Sequence, residues 1–288
     1  MLRSLPMSGT LHVVALPIGN PADVTLRALE TLRGVDLVAA EDTRHFATLA
    51  RLHEIGTRAV SLHEHNEAQR VPELLARLEA GASVALVSDA GTPLVSDPGF
   101  RLVRAAIEAG LPVTSLPGAS AVTTALAASG LAPQPFRFCG FLPRAAGPRR
   151  AVFEALRNEP ATLVCFEAPH RLAASLRDAR EVLGDRQACL ARNLTKPHER
   201  YQRGTLGELV SALAEEQTVR GECTLLIAGT DGGVTAERER GAVEAVRLLR
   251  AEGVAPRTVV RLLTDVLGLP RRRAYELAHR DPDAEGGG

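Results

Sequence analysis

The chain has 288 residues, 45% of them apolar and 24% charged, with a formal net charge of +0 at pH 7. That much apolar material fills one large core or two ordinary ones and excludes a disordered or fibrous chain. Electroneutrality excludes a whole-protein polyanion clamp, so nucleic acid has to be met by local patches. Lys196 is the only lysine, and the remaining positive side chains are arginines, whose planar fork suits phosphate. Cys139, Cys165, Cys189 and Cys223 show no C-x-x-C and no histidine at metal-ligand spacing. They read as buried thiols in a reducing cytoplasm. The first residues lack an apolar run of signal-peptide length.

Strand-like runs alternate with amphipathic helical patterns, the signature of a mostly parallel α/β sheet. In chain order, strands are expected at 11–16, 36–40, 59–62, 83–87 and 113–116. Between them "TLRALETLR", "EAQRVPELLARLEAG" and "GFRLVRAAIEAG" repeat apolar residues at helical spacing, with Gly81 and Gly110 placed to end helices. The uncharged stretch 109–136 is long enough for a bilayer at ~20 residues. Its prolines, glycines and hydroxyl residues make it two short elements and a loop instead. "SGLAPQPFR", 129–137, marks a domain boundary. Beyond it "FRFCGF", "ATLVCF", "QACLARNL" and "CTLLIAG" read as strands, and "PHRLAASLRDAREVLG" and "TLGELVSALAEE" as helices. From residue 236 strand signals stop and three helices follow. The expected organisation is a flexible start at 1–10, α/β domains at 11–130 and 131–235, a helical module at 236–282 and a flexible end at 283–288.

Four strand-end loops have unusual composition: "LPIGNPAD", "AEDTRH", "SDAGTPLVSDPG" and "LPGASAV". Ligands of open α/β sheets sit beyond the carboxyl ends of the strands, so these loops converge on one site. None is a Walker loop or a G-x-G-x-x-G turn, which disfavours a nucleoside triphosphate or NAD. They offer backbone groups and hydroxyls without clustered cations, a lining for a neutral or positive ligand with an amino acid or nucleoside part. Taken singly, each loop is equally a simple Gly-Pro turn.

Taken together, "LPIGNPADVTLRA", "AEDTRHFATLA", "SDAGTPLVSDPGFRLVRAAIEAGLPVTSLPGASAVTTAL", "GFLPR", "FEAPHRL", "ARNLTKPHE" and "RGECTLLIAG" resemble the ribosomal small-subunit RNA methyltransferase I family. That family belongs to the tetrapyrrole-methylase class of S-adenosylmethionine-dependent transferases. The resemblance spans about 10–229, with Phe166, Ala168 and Asn193 standing where Tyr, Ser and Glu are common. It implies two consecutive α/β domains of the tetrapyrrole-methylase type, with S-adenosylmethionine in the cleft between them, plus the helical module. In the cofactor loop it places Gly91, Thr92 and Pro93, with Ser88 and Asp89 facing the cleft and Val95 and Ser96 following. Gly91 is expected to let backbone approach the ligand, and Pro93 to fix the turn. Asp97 and Pro98 are expected to start the next helix as N-cap and first residue. Pro17, Ser120, Ala121, Phe166, Glu167, Leu194 and Thr224 complete the cofactor positions that the resemblance implies.

The implied reaction is methyl transfer to a ribose 2′-hydroxyl of a decoding-region cytidine in 16S rRNA, within the small ribosomal subunit. The general-base candidates are Glu41 and Asp42, of which at most one can reach the hydroxyl. The same stretch also reads as a helix N-terminus capped by Asp42 or Thr43. Arg44, His170, Arg171 and Lys196 are candidates for holding RNA phosphates or favouring the alkoxide. His63 and His65 have no third ligand, and the reaction needs no metal. In the tail, Arg257, Arg261, Arg271, Arg272 and Arg273 flank a "GLP" turn, as phosphate-contacting residues do in helix-turn-helix modules, or simply line a solvated helix face. A tetrapyrrole methyltransferase and a ligand-sensing DNA-binding regulator are the competing readings. The class implies a cytoplasmic homodimer without a membrane partner.

Overall fold

The computed structural model describes residues 9–216, 220–230, 236–269 and 271–279. Residues 1–8 of the expected flexible start at 1–10 and the expected flexible end at 283–288 lie outside them, whereas Gly9 is buried and its N–H donates to the Leu78 carbonyl at 2.9 Å, so the flexible start does not extend to it. The first sheet contains β1 (Leu11–Val14), β2 (Leu37–Ala40), β3 (Ala59–Ser61), β4 (Val84–Val87) and β5 (Val113–Leu116), in the order β3-β2-β4-β1-β5 and parallel throughout. Alternate residues of each strand face opposite sides, so these short apolar strands feed two cores. Val14, Val38 and Val87 pack against α1 (Leu26–Gly34) and α2 (Thr43–Leu52), whereas Leu11, Leu37 and Leu86 pack against α3 (Glu67–Glu79) and α4 (Phe100–Glu108). Thr25 caps α1 by accepting from the Ala28 N–H at 3.1 Å.

The second sheet contains β6 (Phe136–Phe141), β7 (Thr162–Glu167), β8 (Gln187–Arg192), β9 (Arg200–Thr205) and β10 (Cys223–Ile227), in the order β6-β7-β10-β8-β9. Only the β6–β7 pair is parallel. The sequence reading misses β9, "RYQRGT", whose one large apolar residue, Tyr201, packs beneath α5, so no apolar alternation marks the strand. One face of this sheet packs on α6 (Ala146–Ala155), α7 (Leu172–Leu183) and α8 (Leu206–Glu215). Its other face receives α5 (Ala121–Ser129), whose Val122, Ala125 and Leu126 meet Val164, Cys189 and Leu226. The buried face of α5 thereby joins the two sheets, while Thr123 and Ala127 on its other side stay exposed. The Arg203 guanidinium donates to the Ala128 carbonyl at 2.6 Å, closing the end of that joint.

The described residues from 236 to 279 form a second compact unit. There α9 (Ala236–Ala251), α10 (Pro256–Asp265) and α11 (Arg271–His279) enclose their own core of Ala242, Val246, Val259, Leu263, Leu269 and Leu277.

Candidate functional site

The loops after β1, β4 and β5 meet the ends of β6, β7 and β10 of the second sheet around a cavity of about 270 Å³. Thr92, Val95, Ser96, Ser120 and Ala121 line it from the first sheet, and Phe166, Glu167 and Thr224 from the second, all eight at expected cofactor positions. Thr224 and Phe166 are directly paired across β10 and β7, which fixes their spacing. The sequence reading misses Ile18, Phe141 and Gly221, which also line the cavity. Phe141 stacks edge-on against Phe166 at 5.4 Å, an aromatic pair formed only by the β6–β7 register. Glu167 does not open onto the cavity as a free charge. Its side chain is fully buried, bonded to the Ser175 hydroxyl and paired with Arg171.

Four expected cofactor positions stand behind the wall. Gly91 is locked to Leu16 by two backbone hydrogen bonds of 2.9 and 3.0 Å, so its N–H and C=O are committed to protein. Its φ of +72° lies in the left-handed region that favours glycine, and a Cβ there would stand 3.3 Å from Ile18 Cγ2. Pro93 is buried, and the Ser88 hydroxyl, also buried, bonds the Ala90 carbonyl at 3.2 Å. Leu194 belongs to the apolar cluster beneath α5.

Asp97 corrects an expectation. Helix α4 begins at Phe100, capped by Gly99 at φ +114°, so Asp97 and Pro98 are not its N-cap and first residue. The Glu67 carboxylate reaches over from α3 instead and accepts from the N–H groups of Gly99 at 3.1 Å and Arg101 at 3.3 Å. Freed from capping, Asp97 lines the cavity. Burial first, then the neighbouring Glu41 charge, push its carboxyl up to about 6, against a hydrogen bond from Ser88 and with a further contribution from Asp89.

Glu41 and Asp42 face different ways, as adjacent strand-end residues must. Asp42 caps α2, accepting from the Arg44 N–H at 2.8 Å and pairing with the Arg44 guanidinium at 2.7 Å. That hydrogen bonding to Arg44 holds its carboxyl well below the usual carboxylate range. Glu41 accepts from the Asp89 N–H at 3.3 Å, and Asp89 in turn accepts from the Asp42 N–H at 3.0 Å. Burial raises the Glu41 carboxyl, helped by the charges of Asp89, Glu64 and Asp42 and opposed by that N–H.

A second cavity of about 280 Å³ adjoins the first, sharing Ile18, Ala90 and Glu222 with it. Pro17 and Asp89, expected at the cofactor, line this one, together with Lys196 and with His45 and Thr48 of α2. Lys196 is bonded to Glu222 at 2.8 Å. The backbone approaches closely here: a Cβ on Gly19 would lie 2.6 Å from Lys196 Cγ, and the Asn20 N–H donates to Thr195 Oγ1 at 3.0 Å. His170 is exposed in the turn before α7, whereas Arg171 is turned inward onto Glu167. The Nε and Nη1 groups of Arg171 are buried without a partner among the described residues. Arg171 therefore commits part of its guanidinium to Glu167 inside the fold.

In the helical unit the five arginines divide. Arg257, Arg261 and Arg271 line one groove of about 440 Å³ with Thr258, Thr264 and Asp265. Arg272 and Arg273 instead pair with Glu276 at 3.3 and 2.9 Å, so part of their charge is already neutralised. No group of three or more metal-ligating side chains is clustered among the described residues. No described helix is long and apolar enough to cross a membrane.

Residues 10–210 match the family described as Tetrapyrrole (Corrin/Porphyrin) Methylases. A protein of Micromonospora olivasterospora named ribosomal RNA small subunit methyltransferase I is 52% identical over 93% of this chain and 86% of its own length. A Synechocystis protein of the same name is 46% identical over 94% and 97%. Among solved structures, diphthine synthase superimposes with a TM-score of 0.60 at 19% identity, covering 77% of this chain and 90% of that one. The methyltransferase CobJ superimposes with a TM-score of 0.59 at 21% identity, covering 77% and 95%. Joined sheets, a cavity at the strand ends, and identity approaching or passing one half along nearly the whole length converge: the chain belongs to the ribosomal RNA small-subunit methyltransferase I family of tetrapyrrole-methylase-type, S-adenosylmethionine-dependent methyltransferases.

Proposed function

We propose that the protein methylates the ribose 2′-hydroxyl of a cytidine in the decoding region of 16S rRNA, acting on the small ribosomal subunit in the cytoplasm as a homodimer. The observation that carries this reading is the meeting of two cavities at one junction, which provides a donor chamber and an acceptor chamber side by side. The names of the relatives supply the substrate class.

The first cavity fits the family's cofactor on the chemistry of its lining. Phe166 and Phe141 offer aromatic surface, Ser96, Ser120 and Thr224 offer hydroxyls, and Asp97 offers a carboxylate toward a net cation. Bound S-adenosylmethionine supplies a methyl group on a sulfonium, an electrophile. The protein contributes position, worth up to ~7–11 kcal/mol when reacting groups are held in line. Glu41 is the base of choice, because it stands just behind the second cavity, accepting from the N–H of its wall residue Asp89 at 3.3 Å with a raised carboxyl, while Asp42 is committed to α2 and Arg44. It receives the hydroxyl proton on a carboxylate oxygen. Lys196 steadies the developing negative charge, and the exposed Arg44 guanidinium and His170 meet the RNA backbone. Arg257, Arg261 and Arg271 add phosphate contacts from the helical unit.

The test is methyl transfer from labelled S-adenosylmethionine to isolated small subunits, with the product nucleotide mapped by mass spectrometry. A single 2′-O-methylcytidine is expected. Methyl on a base, or on uroporphyrinogen in place of RNA, would overturn the reading. Glu41→Gln is expected to lower turnover by ~10²-fold or more at unchanged cofactor affinity.

A further inference from the structure

We propose that Cys139 and Cys165 form a dithiol modification site: hydrogen peroxide oxidises Cys139, Cys165 resolves it to an intramolecular disulfide, and that disulfide weakens cofactor binding in the cavity beside it. The last step rests on the reading above that S-adenosylmethionine occupies the first cavity.

The pair is made by a β-bulge. Phe138 lies opposite Val164 and Gly140 opposite Cys165, so Cys139 is the extra residue of β6 and shares the Cys165 position with Gly140. Both cysteines turn to the same side, toward the core beneath α6, α7 and α8. Neighbouring strands lie ~4.7–4.9 Å apart, inside the ~4.4–6.8 Å Cα separation that a disulfide spans. The other two cysteines are placed differently. Cys189 packs on the opposite face, against α5, and Cys223 stands opposite Glu167, two residues along β7 from Cys165.

Exposure and charge divide the roles. Cys139 is half-buried and its thiol donates to the Arg137 carbonyl at 3.6 Å, whereas Cys165 is fully buried. A hydrogen bond from Cys165, joined by the Arg137 charge, holds the Cys139 thiol below its ordinary value against burial, while that bond and burial push Cys165 well above its own. An accessible thiol that ionises readily, with a second thiol beside it, is how a peroxide-sensing pair is built. The Cys139 thiolate attacks one peroxide oxygen and the O–O bond breaks. The sulfur becomes a sulfenic acid, and the other oxygen takes up the thiol's proton and leaves as water. The Cys165 sulfur then attacks the Cys139 sulfur, the S–O bond breaks, and the hydroxyl leaves with the Cys165 proton as a second water. Two thiols are oxidised and one peroxide is reduced.

The same bulge sets the cavity wall. Residues three apart in a regular strand face opposite sides, yet Phe138 and Phe141 both meet Phe166 edge-on, at 4.9 and 5.4 Å, because the extra residue intervenes. Gly140, at φ +67°, lays its backbone against Ser96 of the cofactor loop, where a Cβ would stand 3.5 Å from Ser96 Oγ. Phe141, Phe166 and Ser96 all line the first cavity. Joining the two sulfurs brings them well inside van der Waals contact, which draws the bulge onto β7 and moves that wall.

The test treats the reduced full-length protein with hydrogen peroxide, maps its thiols and disulfides by mass spectrometry after alkylation, and measures S-adenosylmethionine affinity by calorimetry before and after. A Cys139–Cys165 disulfide is expected, with affinity lowered ~10-fold and restored by dithiothreitol. Cys139→Ser and Cys165→Ala should each keep their affinity through the treatment, and Cys223→Ala should respond as wild type. The half-buried Cys139→Ser carries the test alone if the core substitution at Cys165 impairs folding. Peroxide that leaves Cys139 as a thiol, or carries it to a sulfinic acid without a bond to Cys165, would overturn the proposal. So would a disulfide that forms at unchanged affinity while Phe141→Ala lowers affinity. If neither the disulfide nor Phe141→Ala alters affinity, the cofactor lies elsewhere: the reading of the first cavity falls, and the last step with it, while the dithiol site stands.

Discussion

Asp97 shows how much a single side chain can change meaning between sequence and structure. Its place before Pro98 is that of a helix cap, yet Gly99 takes the cap position and leaves the carboxyl in the cavity wall beside Glu41 and Asp89. Native Asp97 keeps its proton up to about pH 6, whereas an unfolded Asp loses it near ~3.9. Between those values the folded state binds more protons, so stability falls as pH rises through the window, and the cost is complete above it. Asp97→Asn is therefore expected to raise the melting temperature by ~2–4 °C at pH 8 and by nothing at pH 4. Because the ionised carboxylate faces a net cation, cofactor affinity should rise between pH 5 and 7 in the wild type and stay flat in the variant. Equal melting temperatures at pH 8, or parallel affinity profiles, would show that Asp97 is not buried against like charge.

At the scale of elements, local pattern and tertiary contact divide the credit. The five parallel strands are legible because each is an apolar run with turn residues at its end. Thr205 and Glu208 form a capping box that the sequence "TLGE" announces, and α8 follows it. The start of α4 was not legible, because its cap comes from Glu67, thirty-two residues upstream of Gly99. Removing that carboxylate leaves the buried Gly99 N–H and the part-buried Arg101 N–H unpaired, at up to ~1–3 kcal/mol each, the second at the lower end. Glu67→Ala should accordingly lower urea stability by ~2–4 kcal/mol, and Glu67→Gln, which keeps an acceptor, by less. An alanine variant as stable as the parent would show that water takes over the cap. The edge strand β9 went unread for the opposite reason: nothing local marks it, and pairing with β8 alone makes it a strand.

For the whole molecule, every residue lining either cavity lies between 16 and 224, and the helical unit closes its own core. In that unit the structure separates arginines that the sequence leaves equivalent. Replacing Arg257, Arg261 and Arg271 together by Gln should reduce the salt slope of RNA binding by about 2–3, at ~0.7–0.9 per phosphate contact. Replacing Arg272 and Arg273 should change it far less, since Glu276 already answers them. Cofactor affinity should be the same in both. A titration series in which the two variants behave alike would dissolve the groove into a general basic face.

Read alone, the sequence determined the class of fold, the family and the loops that gather at the strand ends, because apolar periodicity and contiguous motifs are local properties of the chain. It also marked Thr92, Ser120, Phe166 and Thr224 as neighbours, through motifs far apart in number. Only the tertiary structure decided which way each side chain in those loops faces. Gly91 spends its backbone on Leu16, Glu67 reaches from α3 to cap α4, and Asp97 enters the cavity. Those directions depend on partners from other strands and helices, and a hydrogen bond or ion pair between distant residues leaves no periodic trace in the chain that forms it.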